Sequence, residues 1–158
     1  MAKNIHALKR IRVALICGGP SGERGISLNS ARSVMDHLKG EAVEVCPLYV
    51  DHTLDFYTIS TSQLYANTPS DFDFKLAISG VKLSADDLKT WLQEIDVVFP
   101  VIHGAFGEDG KLQGLLEEMN IPFVGPTKAA CEKMFHKFRA SELLQKNGYQ
   151  TLPSLLLK

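Results

Sequence analysis

Between Val97 and Gly114 the chain reads V-V-F-P-V-I-H-G-A-F-G-E-D-G-K-L-Q-G. An apolar run of strand length stops at a glycine-rich turn and resumes as a helical pattern. That order constrains the fold more than any other stretch. Open α/β sheets place ligands where a buried strand ends and feeds a helix, at the carboxyl ends of the strands. His103 stands at that end, with Glu108 and Asp109 in the turn behind it. Leu112, Leu115, Leu116 and Met119 then recur at i, i+3, i+4 and i+7, the stripe of an amphipathic helix. Pro100 has no N–H for a ladder, so a bulge or pairing on one side only is expected there.

A second unit of the same kind opens the chain. Ile11 to Cys17 is apolar at nearly every position, as in a strand covered on both faces of a parallel sheet. Gly18-Gly19-Pro20-Ser21-Gly22 ends it. Leu28, Ala31, Met35 and Leu38 have helical spacing. Ser21 or Ser27 is a candidate cap for that helix, and Lys39-Gly40 a favourable stop. Val43 to Val50 is the next strand, which completes a βαβ unit with a right-handed crossover. Residues 51–81 are the least regular. Phe56 to Ile59 reads as a short strand, and Asn67, Pro69, Ser70 and Asp71 as turn formers. Phe72 and Phe74 alternate with aspartates, so an irregular excursion with short strands is expected. Ser84-Ala85-Asp86-Asp87 resembles a capping box with aspartate in place of glutamate, ahead of a helix carried by Leu88, Trp91, Leu92 and Ile95.

Asn120 closes the helix after the histidine turn, and Pro122-Phe123-Val124 is a short strand stopped by Gly125-Pro126. One last helix is expected from about Lys128 to Lys146. Cys131, Met134, Phe135 and Phe138 face one way along it, and Lys133, His136 and Lys137 another. Asn147-Gly148 ends it, and Thr151 to Lys158 begins a new apolar strand. The alternation of strands and helices predicts an α/β, Rossmann-like three-layer domain with a mostly parallel sheet over residues 11–147, behind a basic tail at 1–10.

The length of 158 residues fits one domain, or one domain and a piece of another. A net charge of −1 gives no reason to expect nucleic acid or an acidic membrane surface as partner. No apolar stretch approaches the roughly 20 residues that span a bilayer. Cys17, Cys46 and Cys131 are odd in number and scattered, which reads as reduced thiols of a cytosolic protein.

Three features carry chemistry. The loop G-G-P-S-G-E-R-G lets backbone N–H groups approach a ligand at a helix start, yet it is neither a P-loop nor a dinucleotide fingerprint. Glu23 on that loop would meet His103 if the two strands are neighbours, and a carboxylate there could bind an ammonium group; helix-start electrostatics is its other role. Glu108 and Asp109 suit capping and loop-fixing better than acid catalysis. Lys137, with Lys133 and Arg139, either supplies positive charge to a phosphate or belongs to the solvated face of a helix.

V-A-L-I-C-G-G-P-S-G-E-R-G-I-S-L-N-S at 13–30, D-V-V-F-P-V-I-H-G-A-F-G-E-D-G-K-L-Q-G-L-L-E at 96–117 and I-P-F-V-G-P at 121–126 together resemble the N-terminal part of the D-alanine–D-alanine ligases, of the ATP-grasp class. The resemblance implies a pre-ATP-grasp fold and, in the complete enzyme, the use of ATP and magnesium to phosphorylate the carboxylate of a first D-alanine. The amine of a second then attacks, and the dipeptide enters peptidoglycan precursors. It implies that Glu23 holds the first D-alanine's ammonium and that His103 lies beside its carboxylate, as the catalytic pair, with Gly18, Gly19, Ser27 and Gly104 around the substrate. Lys137 matches the lysine that reaches the nucleotide phosphates. The family's adenine and magnesium ligands have no counterpart in this stretch, so no metal site is assigned.

Three departures stand out. Gly25 replaces a second glutamate in the first loop, His136 replaces an aspartate before the helix lysine, and Ser141 replaces a lysine. The expectation is a first-D-alanine-binding domain, with 148–158 beginning an ATP-grasp domain, inactive by itself, cytoplasmic, and homodimeric as the family is. The alternatives are a non-catalytic amino-acid-binding or dimerisation module, or the domain of another carboxylate–amine ligase.

Overall fold

The computed structural model describes residues 9–38 and 40–155. Most of the expected basic tail, and Lys39 at the expected helix stop, lie outside them. The elements are β1 (Ile11–Gly18), α1 (Arg24–Leu38), β2 (Val43–Val50), β3 (Phe56–Thr58), α2 (Thr61–Ala66), α3 (Pro69–Ser79), β4 (Lys82–Leu83), α4 (Ala85–Gln93), β5 (Val97–Pro100), α5 (Lys111–Glu118), α6 (Lys128–Phe135) and α7 (Lys137–Lys146). The sheet order is β4-β3-β2-β1-β5. β1 pairs in parallel with β2 from Ile11↔Val43 to Gly18↔Val50, and with β5 from Val13↔Val97 to Ile16↔Pro100. β3 is antiparallel to both β2 and β4, so it alone is reversed among the described strands.

Side chains alternate across a strand, and β1 is buried on both faces. Ala14 and Ile16 join Val98, Leu88 and Leu92 of α4, and Leu112 and Leu116 of α5. Leu15 and Cys17 join Leu28, Ala31 and Met35 of α1, Leu64 of α2, and Phe72 and Leu76 of α3. Helices cover both faces, so the domain has the expected three layers, with β1 buried in the middle layer.

Pro100 lies where its missing N–H costs nothing. Val98 donates outward to Pro122 O, whereas Val101 N returns to Ile16 O on β1. The N of residue 100 therefore falls on the outer side, beyond the single parallel bridge between Val98 and Phe123. This is the one-sided pairing the proline demands. The rest of the expected 122–124 strand is reduced to that bridge.

Three expectations fail. The excursion at 61–79 is helical. Ser60 Oγ accepts from Gln63 N while Gln63 Oε1 accepts from Ser60 N, and Thr68 with Asp71 does the same at the start of α3. Pro69 occupies the first turn, where its lack of an N–H is tolerated. Residues that favour turns also favour caps, and here they cap. Phe72 turns inward and stacks on Tyr49, with ring centroids 4.3 Å apart. Phe74 points to solvent at 68% exposure, so the alternation was helical. The long last helix is also broken. His136 adopts φ −85° and ψ 101° and separates α6 from α7. Of the expected apolar face only Cys131 is buried; Met134 and Phe135 are exposed and Phe138 half-buried. Residues 151–155 form no strand, and 156–158 lie outside the described residues. The box at Ser84 and Asp87 caps α4 as expected.

Candidate functional site

Because β1 and β5 are neighbours, the loops that leave their carboxyl ends meet. Three contacts splice them. Ser21 Oγ donates to His103 O at 2.8 Å. Ser27 Oγ donates to Val101 O at 2.7 Å and accepts from Gly18 N at 2.9 Å. Glu23 Oε2 lies so close to Gly104 that a Cβ there would stand 3.1 Å from it. Glu23 and His103 therefore belong to adjoining backbone, as the sequence suggested.

The His103 ring faces a cleft of about 690 Å³ whose polar lining includes Ser30, Glu108, Gln113, Cys131 and Lys137. Ser30 Oγ lies 2.9 Å from Nε2, and Glu108 Oε1 lies 3.7 Å from Nδ1. Asp109 fixes the turn: its Oδ1 accepts from Lys111 N at 3.1 Å, and Oδ2 pairs with Lys111 Nζ at 3.1 Å. Burial works to raise the Asp109 pKa, but backbone N–H bonds from Phe106 and Lys111 outweigh it and hold the carboxyl below its usual range. Gln113, 4% exposed, donates from Nε2 to Gly107 O at 2.7 Å and pins the same turn from α5. Glu23 is exposed and stands beside this cleft rather than among its lining residues.

Three residues expected around a ligand have parts in the fold. Gly18 and Gly19 adopt φ +94° and +97°. A Cβ on Gly18 would lie 2.2 Å from Val50 O, and one on Gly19 2.6 Å from Ile102 Cγ2. Their N–H groups bond Ser27 Oγ and Val50 O, so these two amides are satisfied within the fold. Ser27 is 0% exposed and sits inside α1 rather than capping it, so its hydroxyl is a buttress. Lys137, by contrast, lines the cleft from the first position of α7, because the chain breaks at His136.

Ser30 and Gln113 carry no signal of their own in the sequence. Ser30 lies in the S-L-N-S run, but its partner is 73 residues away, and no local spacing announces it. Burial keeps the thiols protonated: that of Cys17 is pushed up to about 12, and that of Cys131 is raised by burial and then by nearby Asp109 and Glu108. Among the described residues no group of three or more His, Cys, Asp or Glu is gathered so as to hold a metal ion, and no helix is long and apolar enough to cross a membrane.

A three-layer α/β sheet with a cleft at the carboxyl ends of two neighbouring strands is the arrangement in which open α/β domains place small ligands. Residues 12–126 match the family model described as D-ala D-ala ligase N-terminus. The chain is 36% identical over 159 residues to D-alanine–D-alanine ligase A of Chromobacterium violaceum, covering 94% of this chain and 43% of that protein. It is 37% identical over 132 residues to the D-alanine–D-alanine ligase of Prosthecochloris aestuarii, covering 72% and 35%. The D-alanine–D-alanine ligase structure from Coxiella burnetii superposes with a TM-score of 0.74 at 28% identity, over 88% of this chain and 42% of that one. For the D-Ala:D-Ser ligase of Enterococcus faecalis the values are 0.72 and 25%, over 89% and 43%. The chain belongs to the D-alanine–D-alanine ligase family and corresponds to its N-terminal domain. It spans less than half the length of the relatives it matches.

Proposed function

We propose that this domain receives the first D-alanine in an ATP- and magnesium-dependent D-alanine–D-alanine ligase of cytoplasmic peptidoglycan-precursor synthesis. One observation carries the reading. Glu23 and His103, an acid and an imidazole on two separate loops, stand on adjoining backbone at the ends of neighbouring strands, with the Glu23 carboxylate against Gly104, the residue after the histidine. An acid and a potential donor so placed suit the two ends of a small zwitterion. Glu23 takes the ammonium. His103 offsets the charge on the carboxylate while that group is converted to an acyl phosphate, on which the second D-alanine's amine acts. Gly104, at φ +74°, lets the two loops close to contact. Lys137, on the cleft wall, would hold phosphate oxygens, and the break at His136 turns it there. Ser27, Gly18 and Gly19 support the site from beneath. Residues 148–158 lead toward the ATP-grasp portion, and the complete enzyme pairs as a homodimer.

Titration of the 158-residue chain with D-alanine tests the reading. Saturable binding is expected, with L-alanine weaker. Glu23→Gln should weaken D-alanine about tenfold to hundredfold, the worth of one charge-assisted hydrogen bond. The chain alone, mixed with ATP, magnesium and D-alanine, should release no phosphate. Equal affinity for both enantiomers, or a Glu23→Gln chain that binds as the wild type does, would overturn it.

A further inference from the structure

His103 has a polar neighbour at each ring nitrogen, with the Ser30 hydroxyl at hydrogen-bond distance, 2.9 Å from Nε2, and Glu108 Oε1 facing Nδ1 at 3.7 Å. A neutral imidazole carries one proton, and the groups around it decide which nitrogen keeps it. An ionised carboxylate only accepts, so Glu108 favours the proton on Nδ1. The opposite tautomer would aim the Nδ1 lone pair at that negative charge. With Nδ1 protonated, Nε2 is an acceptor, and the Ser30 hydroxyl is the donor that fills it. A hydroxyl hydrogen rotates to suit the field it meets.

We infer that Glu108 sets His103 as its Nδ1–H tautomer and that Ser30 is a positioning residue, whose hydroxyl donates to Nε2 and holds the ring against the cleft. Its place in the fold supports this. Ser30 is half-buried on α1, between Leu28 and Ala31, which are 1% and 0% exposed in the core. The helix cannot shift without disturbing that packing, so the hydroxyl is fixed in space. Ser27, one turn earlier, ties the same helix to Val101, two residues before the histidine. One helix thus sets both the backbone under His103 and the orientation of its ring. Where the consequence rests on the substrate reading above, a bound carboxylate meets a histidine whose Nδ1–H is already directed outward, toward the place Glu108 now takes.

The test is ¹⁵N NMR of the chain labelled with ¹⁵N-histidine, at a pH where the ring is neutral, with the His103 signals assigned by their loss in His103→Gln. The wild type should carry its proton on Nδ1. Ser30→Ala should leave the proton on Nδ1 and move the unprotonated Nε2 resonance downfield, because that nitrogen loses the hydrogen bond donated to it. Ser30→Thr, which keeps the hydroxyl, should restore it. A wild-type proton on Nε2, or a Ser30→Ala Nε2 resonance equal to the wild type's, overturns the assignment. Titration of the same sample with D-alanine separates the two readings. An Nδ1–H ring that D-alanine leaves unmoved supports the role of Ser30 and counts against the substrate reading alone.

Discussion

Ser27 shows how a hydroxyl near a ligand site can belong to the scaffold. It bridges the Gly18 amide at the end of β1 to the Val101 carbonyl just past β5, and it is 0% exposed. Removing it strands two backbone groups in a place water does not reach. Ser27→Ala should therefore cost about 1–3 kcal/mol, read as a lower urea midpoint with an unchanged slope. A ligand contact would instead change D-alanine binding and leave stability intact. The sequence offers Ser27 as a cap or a substrate contact and misses its part as a buttress, because that part depends on a carbonyl 74 residues away. Glu23 and His103 were legible for the opposite reason. Each follows a strand whose apolar run is visible, and adjacency of those strands suffices to bring them together.

The strands and helices whose burial is periodic in sequence were readable: β1, β2, β5, α1, α4 and α5. Two stretches were not. At 61–79 the turn-forming residues cap two short helices, and the same chemistry serves either purpose until the tertiary partners, Tyr49 for Phe72 among them, decide. At His136 a continuous helical pattern hides a break. The residue takes the N-cap position of α7 in extended geometry, but its side chain makes no cap hydrogen bond. Aspartate there would accept from the free N–H groups of the first turn and meet the positive end of the helix. His136→Asp should stabilise the chain by about 1 kcal/mol, seen as a higher thermal midpoint with more helical circular dichroism. An unchanged midpoint would mean that α7 contributes little to the cooperative fold.

For the molecule as a whole, pH should act from both ends. Burial pushes the Cys17 thiol up to about 12, and likewise the Tyr49 phenol. Both groups are kept neutral by the fold, so their contribution is intact below their unfolded values and is lost as pH rises toward 12. The urea midpoint should fall above about pH 9, and less steeply in Cys17→Ala than in the wild type. Hydrogen bonds from Ser84 hold Asp87 below its usual value, and those from the Arg12 amide and Lys9 hold Asp96 there. Their contribution is present at neutral pH and is lost as pH falls below about 4. The turn that joins β1 to α1 bears on inheritance as well. Every single-base change that replaces a glycine codon with another amino acid introduces a side chain. At Gly18 and Gly19 even a lone methyl has nowhere to go, since it would strike Val50 or Ile102. No one-step mutational neighbour preserves this turn, so a lineage can alter it only after the surrounding core has first made room.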